Sequence, residues 1–396
     1  MPAAATRAIL SRVSALPSEQ LALGRCHGRI LRQTVHAERD NPPFDRVCMD
    51  GIAIASTAFN AGTRHFRIQA TQAAGDVPLR LDAPDAAIEV MTGAVLPHGT
   101  DCVIPLEEYD LAAAQLTLRA EASAEPWRSV QRRGSDSMPG VPMLTIGMRL
   151  GAAEVAVVAS AGLAEVAVSR QPRVMVISTG DELIEPGQPI ADHQVRRSNS
   201  YAVNAALRLQ GFEAVAATHL PDHKAFMQQQ LGEILGGHDV LVLSGGVSKG
   251  KFDFVPTVLK ELGVEEVFYQ VAQRPGRPMW FGVGPAGQLV FGLPGNPVST
   301  LICLARYVLP ALRELMLWHA PARERVAMRE AADGRKMTYF MPVALGPEAA
   351  SLAMASARPP HGSGDFLALA GTDGFVELPP QPEGYAAGFI ADFYRW

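Results

Sequence analysis

The residues best suited to chemistry follow a short apolar run in the middle of the chain. Residues 240–243 are apolar and predict a buried strand, and the turn Ser244-Gly-Gly-Val-Ser248 comes directly after it. Glycine lets the backbone of such a turn approach a ligand closely. Lys249, Lys251 and Asp253 then bring two cations and one carboxylate to the entrance of a predicted helix. Cations bind oxyanions, and a carboxylate among them favours a metal ion or a role in proton transfer.

Charged groups recur in other predicted loops of the chain. The carboxylates are Asp50, Asp136, Asp181, Glu182, Asp222 and Asp253, and the cations are Lys249, Lys251, Arg274 and Arg277. A purely acidic pocket would repel an oxyanion, whereas arginines and glycine amides beside a metal held by two carboxylates would receive one. We therefore expect a phosphorylated or oxyanionic ligand together with Mg²⁺.

Purely structural roles are the alternative for these residues. Asp181 would cap the segment that follows it. Arg274 and Arg277 would be solvated residues of a proline-glycine turn. Asp50 and Asp136, judged from periodicity alone, would lie in surface turns. The ten histidines show no metal-ligand spacing, and no serine-histidine-acid pattern is visible.

Residues 173–318 predict the framework that positions most of these groups. Predicted strands alternate there with predicted helices, which is typical of a doubly wound, mostly parallel sheet with helices on both faces. The strands are Val174–Ile177, Ala214–Ala217, Val240–Leu243, Val264–Tyr269 and Leu289–Phe291, and the helices are Tyr201–Leu209, His223–Leu235, Phe254–Leu262 and Pro297–Leu317. In α/β sheets of this kind, ligands bind outside the carboxyl ends of the strands.

Four loops of this α/β domain follow predicted strands and carry glycine, hydroxyl or acidic residues. They are residues 178–182, 220–222, 244–248 and 292–299. In the last loop, Asn296 predicts a cap on the following helix and Pro297 its first position. This arrangement would leave a helix amino terminus able to attract an anion.

The rest of the chain predicts three smaller units. Residues 46–137 are rich in short predicted strands separated by glycine and proline, and we interpret them as an inserted β-rich domain. The flanking segments 1–45 and 138–172 would meet to form one mixed linker or dimerisation domain, in which Ser18–Leu23 predicts a short helix. Residues 319–396 predict a small all-β domain.

Composition argues against several classes of protein. The chain has 396 residues, of which 48% are hydrophobic and 19% charged, and a formal net charge of -5, so a duplex-binding surface is not expected. Its four cysteines lie far apart and predict neither a zinc site nor a disulfide framework. No signal segment and no apolar run of about 18 residues is visible, so we expect a cytoplasmic protein without membrane or nucleic-acid partners.

Seven motifs occur in order between about residue 40 and residue 318. They are Met49-Asp-Gly51, Met91-Thr-Gly-Ala94, Arg133-Gly-Ser-Asp136, Ser178-Thr-Gly-Asp-Glu-Leu183, Ser244-Gly-Gly-Val-Ser248 with Asp253, Arg274-Pro-Gly-Arg-Pro278 and Gly292-Leu-Pro-Gly-Asn-Pro-Val-Ser299. One such motif alone is a weak signal. As an ordered set, they resemble the molybdopterin molybdenumtransferases, the family that includes the carboxyl-terminal domain of gephyrin.

The resemblance implies a reaction and an assembly. The family inserts molybdate into molybdopterin, using adenylylated molybdopterin as substrate, with Mg²⁺ and with release of AMP. It forms an elongated homodimer of four-domain subunits, whose cleft is shared between the α/β domain of one subunit and the inserted module of the other. Asp50, Thr92 and Asp136 would then face the α/β loops of the partner. Further partners implied are molybdopterin adenylyltransferase and acceptor molybdoenzymes or their chaperones.

The resemblance also implies site residues, motif by motif. The catalytic set is Asp50, Thr92, Asp136, Glu182, Asp222 and Asp253, of which Asp222 and Asp253 would hold Mg²⁺. The ligand-binding set is Ser244, Gly245, Gly246, Ser248, Arg274, Arg277, Pro294 and Pro297. In the carboxyl-terminal domain, Ser363 of His361-Gly-Ser-Gly364 is a candidate contact that we do not include among the predicted site residues.

This chain departs from the family pattern at a few positions. Arg274 and Arg277 replace lysines that the family often has, Gln270 replaces another, and Ile52 replaces the usual tyrosine. Arginine keeps the charge and adds a bidentate fork, whereas Gln270 removes a charge. The preference for molybdate over tungstate stays open. Two other functions also stay open: adenylylation of molybdopterin, and a catalytically silent scaffold.

Overall fold

The computed structural model of the chain describes residues 1–112, 115–246, 254–319, 322, 324–349 and 352–396. Two of the predicted site residues, Ser248 and Asp253, lie outside the described residues, as do Lys249 and Lys251. No helix within the described ranges is long and apolar enough to cross a membrane.

The amino-terminal segment contains one helix and two short strands. They are α1 (Pro2–Leu10), β1 (Ser18–Ala22) and β2 (Val35–His36), with a 3₁₀ turn at Leu23–Arg25. The helix predicted over Ser18–Leu23 is therefore wrong. Six residues are too few to form a stable helix without tertiary support, and here pairing with a distant strand decides the conformation. Helix α1 was not predicted.

The inserted module is built on one six-stranded sheet. Its elements are β3 (Arg46–Val47), β4 (Gly51–Ile54), α2 (Ser56–Asn60), β5 (His65–Gln72), β6 (Ala86–Val90), β7 (Cys102–Pro105), a 3₁₀ turn (Leu106–Glu108), β8 (Tyr109–Ala112), β9 (Gln115–Leu118) and β10 (Val130–Gln131). The strand order in the sheet is β7-β4-β6-β5-β9-β8, while β3 and β10 pair separately. Strand β4 lies between β7 and β6 and is buried along its whole length, so it fixes the position of the preceding Asp50.

After the inserted module, the chain pairs with its amino-terminal segment. The elements β11 (Pro142–Leu144), α3 (Ala152–Ser160) and β12 (Glu165–Ser169) follow the module. Strand β12 pairs antiparallel with β1, and β11 pairs antiparallel with β2. The two segments that flank the inserted module thus share one small domain, although the boundaries drawn from the sequence remain a prediction.

Residues 174–315 form a six-stranded sheet flanked by helices. The elements are β13 (Val174–Thr179), β14 (Leu183–Ile184), β15 (Val195–Arg196), α4 (Asn199–Leu209), β16 (Val215–Leu220), α5 (Lys224–Gly237), β17 (Val240–Ser244), α6 (Val255–Glu261), β18 (Glu265–Tyr269), β19 (Gln273–Arg274), β20 (Trp280–Val283), β21 (Leu289–Leu293), α7 (Pro297–Cys303), a π-helical turn (Leu304–Val308) and α8 (Leu309–Leu315). The sheet order is β16-β13-β17-β21-β20-β18, of which the first four strands are mutually parallel.

Strand β17 runs through the centre of this sheet and is buried on both faces. Val240 and Val242 pack with one apolar cluster, and Leu241 and Leu243 pack with the other. Because successive side chains of a strand point to opposite faces, a continuous apolar run is what a strand covered by helices on both sides requires. The predicted doubly wound, mostly parallel fold is confirmed. The antiparallel strand β20, which lies between β21 and the edge strand β18, was not predicted.

The carboxyl-terminal residues form a β-barrel. Its strands are β22 (Glu324–Met328), β23 (Thr338–Ala349), β24 (Leu352–Ala357), β25 (Gly374–Leu378) and β26 (Ile390–Arg395), with a 3₁₀ turn at Phe366–Leu369. Strand β23 pairs with both β24 and β25, which closes the barrel. The predicted all-β character of this region is confirmed. Strand β19 of the preceding domain pairs with the start of β23, so the barrel contacts the segment that carries Arg274.

Candidate active site

Four parallel strands end at one edge of the α/β sheet. Ser178 in β13 is level with Ser244 in β17, and Ser244 is level with Leu293 in β21. Thr179 is level with Leu220 in β16. The four loops predicted to bind ligand therefore leave the sheet side by side, at the edge where α/β proteins bind their ligands.

The loops after β13 and β16 are joined by a hydrogen bond between acidic residues. The backbone N–H of Asp222 donates to Oδ1 of Asp181 at 3.0 Å. Asp181 was also considered as a cap on the segment after it. Its side chain instead accepts a hydrogen bond from the neighbouring loop. Glu182 folds back over Gly180, where a Cβ atom would lie 2.4 Å from Oε2 of the glutamate. Three carboxylates thus lie in two adjacent loops at the sheet edge.

Two glycines after β17 allow the backbone to pass close to Thr179. Gly245 and Gly246 have φ angles of +95° and +64°, a region that favours glycine. A Cβ atom on Gly245 would lie 2.9 Å from the carbonyl oxygen of Thr179, and one on Gly246 would lie 2.7 Å from its Oγ1. Both positions therefore favour glycine, because a Cβ atom at either one would collide with Thr179 of the neighbouring strand β13.

A polar cavity of about 540 Å³ opens beside these strand ends. Its lining includes Ser178, Glu182, Arg197, Asn199 and Ser244. The side chain of Asn199 donates hydrogen bonds to Oγ of Ser244, at 2.8 Å, and to the carbonyl of Gly295, at 2.7 Å. The cavity therefore connects the loops after β13, β17 and β21.

Three buried polar atoms around this polar cavity have no hydrogen-bond partner in the described structure. They are Oγ of Ser178, Oδ1 of Asn199 and Nε of Arg197. Leaving a buried donor or acceptor unpaired costs about 1–3 kcal/mol, so a ligand with matching donors and acceptors would recover that cost. Sequence reasoning missed Arg197 and Asn199, because their place at the start of a helix gave them an ordinary structural explanation.

A second cavity, of about 400 Å³, carries the cations predicted from the Arg-Pro-Gly-Arg-Pro motif. Arg274 and Arg277 line it together with Pro294 and Asn296, and the barrel contributes Tyr339 and residues 360–363. Both arginine side chains are exposed, and neither forms an ion pair with another described residue. This cationic cavity is suited to an oxyanion.

The buried side chain of Gln273 shapes the turn that carries these arginines. Its Nε2 donates to the carbonyl of Gly276 at 3.1 Å and to that of Pro275 at 3.3 Å, and its Oε1 accepts from the hydroxyl of Tyr307. Gly276 has a φ of +88°, and a Cβ there would lie 2.7 Å from Sγ of Cys303. Gln273 was not predicted as a site residue, because a glutamine before the motif carries no chemical signal of its own.

The barrel contributes Ser363 to the start of helix α7. Asn296 makes no side-chain cap on this helix. Its Nδ2 donates instead to Oγ of Ser363 at 2.6 Å, and the backbone N–H of Val298 donates to the carbonyl of Ser363 at 3.1 Å. The predicted side-chain cap is therefore wrong, because Asn296 bonds to the barrel instead. The carbonyl of Ser363 occupies one N–H group of the helix amino terminus, and the attraction of an anion to this terminus stays a prediction. Pro297 does occupy the first helical position.

Asn296 and Pro294 lie between the two cavities. Asn296 lines both of them, and Pro294 is buried with its carbonyl accepting a 2.7 Å hydrogen bond from Oγ1 of Thr300. The polar and cationic cavities are thus neighbours along one face of the loop after β21.

The predicted site residues of the inserted module form a separate group. Oδ1 of Asp50 accepts hydrogen bonds from the backbone N–H of Thr92, at 2.6 Å, and from its Oγ1, at 2.8 Å. These hydrogen bonds lower the pKa of Asp50 below its ordinary value. Oδ1 of Asp136 accepts from Nε2 of Gln131 at 2.8 Å and from Oγ of Ser135 at 3.2 Å. Asp50 and Thr92 thus act as a unit, whereas Asp136 is held by its own loop.

The module group and the sheet-edge group are built independently within one chain. The side chains of Asp50, Thr92 and Asp136 hydrogen-bond to module residues, as far as the described ranges extend. Their positions are fixed by the pairing of β3 with β10 and by the buried strand β4. All three residues are exposed at the surface of this chain.

Comparison with known families covers nearly the whole chain. Residues 1–162 match the family described as MoeA N-terminal region (domain I and II). Residues 175–314 match a family described as probable molybdopterin binding domain, and residues 325–396 match MoeA C-terminal region (domain IV).

Relatives match along most of their lengths. A molybdopterin molybdenumtransferase of Synechocystis sp. is 39% identical over 371 residues, which is 93% of this chain and 93% of the relative. One of Nostoc sp. is 30% identical over 387 residues, which is 94% of this chain and 88% of the relative. A crystal structure of a molybdopterin biosynthesis MoeA protein from Pyrococcus horikoshii superimposes with a TM-score of 0.82 at 27% identity, covering 100% of this chain and 98% of that one.

Proposed function

The chain belongs to the molybdopterin molybdenumtransferases, enzymes of molybdenum cofactor biosynthesis, and we propose that it inserts molybdate into adenylylated molybdopterin with release of AMP. The proposal names the substrate form, the leaving group and the metal requirement. It is supported by the chemistry of the two neighbouring cavities and by the acidic loops beside them.

The observation that carries the proposal is the pairing of a polar cavity with a cationic one. Unpartnered atoms of Ser178, Arg197 and Asn199 suit a ring that both donates and accepts hydrogen bonds. Arg274 and Arg277 suit phosphate or molybdate, because a guanidinium presents a planar fork to an oxyanion. A pterin with a phosphate-bearing side chain, next to a metal oxyanion, combines both requirements in one substrate complex.

The acidic loops fit a magnesium ion held jointly with substrate phosphates. The described residues contain no group of three or more histidine, cysteine or acidic side chains that could hold a metal. Mg²⁺ is commonly bound through only one or two carboxylates plus phosphate oxygens, so such a group is not needed. Asp222 would hold it together with Asp253. Bound there, it would neutralise charge that develops on the phosphate oxygens.

Different residues of the chain would then have different roles in cleavage of the phosphoanhydride. Asp181 holds the backbone of Asp222 in place, and Glu182 stands beside it at the rim of the polar cavity. Arg274 and Arg277 bind the oxyanion groups and stabilise negative charge as AMP departs. The glycines after β17 bring the backbone N–H groups of that loop near the ligand.

The acids of the inserted module complete the site from a second subunit in this proposal. Asp50 is held ionised by Thr92, so it acts as a carboxylate and not as a proton donor near neutral pH. Asp50, Thr92 and Asp136 are exposed and lie on one module, as a surface that meets a partner's loops requires. The active form would be a homodimer with two shared clefts, supplied by a molybdopterin adenylyltransferase and serving acceptor molybdoenzymes or their chaperones in the cytoplasm.

Reconstitution with purified adenylylated molybdopterin tests the proposal. Molybdate, tungstate or buffer is added with and without Mg²⁺, and AMP and metal-bound pterin are measured. We expect AMP release that depends on Mg²⁺ and is coupled to metal insertion. Production of adenylylated pterin from ATP and pterin would instead identify an adenylyltransferase. Tight pterin binding without turnover would identify a scaffold.

A further inference from the structure

A third cavity, of about 520 Å³, lies away from the proposed active site, where several parts of the chain meet. Helix α1, helix α8, Trp318 and strand β26 contribute to its wall. None of its lining residues lines the polar or the cationic cavity. It is therefore a separate space with its own chemistry.

This third cavity carries an excess of positive charge. Four arginines and two glutamates line it: Arg149, Arg306, Arg313, Arg395, Glu314 and Glu324. Arg306 is paired with Glu377 at 2.8 Å, and Arg395 is paired with Glu324 at 2.7 Å. The remaining arginines, Arg149 and Arg313, form no ion pair with any described residue.

The two unpaired guanidinium groups contact the same aromatic ring, and the charge of Arg149 acts on Arg313. Both lie over the ring of Trp318, at 5.2 Å from its centroid for Arg149 and 5.0 Å for Arg313. The indole ring attracts each cation, but it does not neutralise either charge. Arg149 and Arg313 come from different domains, so the fold brings two like charges together across a domain junction.

Arg313 also keeps a donor without an acceptor. Its Nη2 donates to Oε1 of Gln210 at 2.9 Å, whereas its Nε is buried and has no hydrogen-bond partner in the described structure. Burial and the nearby charge of Arg149 lower the pKa of Arg313. An anion bound by both guanidinium groups would offset the repulsion between them.

We propose that this third cavity binds a small molecule carrying a tetrahedral oxyanion group, with Arg149 and Arg313 as the residues that hold that group. Guanidinium forks match the oxygens of phosphate and related ions. The cavity is larger than a free ion needs and is of the size that small-molecule ligands occupy. Leu10, Leu309 and Phe393 supply an apolar wall for the remainder of such a ligand.

Binding would fasten together the domains that meet at this cavity. Arg149 lies between β11 and α3 in the domain built from the chain's first segment, and Arg313 lies in α8 of the α/β domain. A ligand that bridges the two stabilises only the folded arrangement of these domains, so the melting temperature rises with the logarithm of ligand concentration above the dissociation constant.

Calorimetric titration of the full-length protein at constant ionic strength tests the proposal. The probes are inorganic phosphate, ribose 5-phosphate and AMP, and the background variant carries Arg274→Gln and Arg277→Gln, so that the oxyanion contacts of the cationic cavity are removed. We expect saturable binding of at least one probe in this background, with a rise in melting temperature of at least ~1 °C. Equal affinity for phosphate and for the esters identifies the free ion as the ligand; tighter ester binding identifies a small phosphomonoester.

Variants of the two arginines decide the assignment. Arg149→Gln and Arg313→Gln should each weaken binding by at least about tenfold, since each removes charge-assisted hydrogen bonds. Arg208→Gln, at an exposed arginine of helix α4, is the matched control and should leave binding unchanged. Arg149 is exposed, so its replacement tests the site even if Arg313→Gln does not fold. Absence of saturable binding for every probe, or binding unaffected by Arg149→Gln, overturns the proposal.

Discussion

The backbone N–H of Asp222 donates a 3.0 Å hydrogen bond to Oδ1 of Asp181, across 41 residues of sequence. The two residues follow β16 and β13, which are parallel neighbours in the sheet. The carboxylate of Asp181 therefore fixes the loop that presents Asp222. Asp181 acts on the proposed magnesium site through the position of another residue.

Removing this hydrogen bond should weaken turnover more than it weakens the fold. Asp181→Ala deletes the acceptor, so the Asp222 loop loses its anchor, and we expect AMP release to fall by about 10–100-fold with a higher Mg²⁺ requirement. Asp181→Asn keeps an oxygen acceptor and should lose much less. The control Asp192→Ala changes an exposed acid in a nearby loop and should be neutral. Equal activity of the Ala and Asn variants would contradict this role.

The arginines of the cationic cavity should set the affinity for the oxyanion. Arg274→Gln and Arg277→Gln each remove a charge and a guanidinium fork, so we expect the molybdate concentration for half-maximal rate to rise about 10–100-fold. Arg274→Lys and Arg277→Lys restore the charge and should stay within several-fold of the natural protein. The ratio of molybdate to tungstate turnover, measured in the same series, shows whether the fork contributes to selectivity. A molybdate dependence unchanged in both Gln variants would exclude the assignment.

The buried side chain of Gln273 should be required for stability as well as for the shape of the Arg274 turn. Gln273→Leu fits a similar volume but leaves the hydroxyl of Tyr307 unpaired and leaves the carbonyl of Gly276 only a weak 3.8 Å contact from Sγ of Cys303, which we expect to cost about 1–3 kcal/mol of unfolding free energy. Tyr307→Phe leaves the buried Oε1 of Gln273 without its donor and should cost a similar amount, about 1–3 kcal/mol. Urea unfolding followed by fluorescence measures both. A Leu variant as stable as the natural protein would refute the packing argument.

Strand β17 is anchored at its start by an ion pair whose strength depends on pH. Burial favours the protonated form of Asp239, but hydrogen bonds from Arg170 and Arg173 outweigh it and lower its pKa from 3.8 to about 2. A lowered carboxyl pKa stabilises the fold above the unfolded pKa, and the contribution is lost as the pH falls toward 2. The contribution at neutral pH should be roughly 2 kcal/mol.

Comparison with Asp239→Asn isolates this pH dependence. The natural protein should exceed the variant in unfolding free energy at pH 6, and the difference should shrink as the pH falls from about 4 to about 2. Arg170 contacts both carboxylate oxygens, at 2.8 and 2.9 Å, which gives the pair its geometry. A difference between the two proteins that stays constant over this pH range would show that Asp239 acts only through packing.

Local patterns in the sequence were sufficient to predict the α/β domain. Buried strands such as β17 read as continuous apolar runs, and each ends in a loop of glycine and polar residues. The motif order also predicted Asp50 and Thr92, which the structure joins directly, and Arg274 and Arg277, which share one cavity. The apolar runs and the Arg274–Pro278 motif are local in the sequence, so the residues themselves encode them, whereas Asp50 and Thr92, 42 residues apart, were selected by the resemblance to the family.

Contacts between distant segments could not be predicted in the same way. Ser18–Ala22 is a strand only because β12 lies beside it, and Asn296 fails to cap its helix only because Ser363 arrives from the barrel. Gln273, Arg197 and Asn199 gain their roles from burial around a cavity, which periodicity does not reveal. In each of these cases, a contact between residues far apart in the sequence determines the conformation or the role. The local structural propensities of the residues do not indicate such contacts.

The shared cleft can be tested with dimers assembled from two different inactive subunits. Asp50→Asn alters the module and Asp222→Asn alters the sheet edge, so each variant alone should release AMP at a small fraction of the natural rate. In a purified mixed dimer, one cleft would combine the intact sheet edge of one subunit with the intact module of the other.

AMP release from adenylylated molybdopterin by this mixed dimer, in the presence of molybdate and Mg²⁺, is the most direct measurement. Two equivalent clefts per symmetric dimer predict recovery of about half the natural rate, because one cleft is intact and the other carries both changes. A mixed dimer as inactive as its two parents would contradict the account.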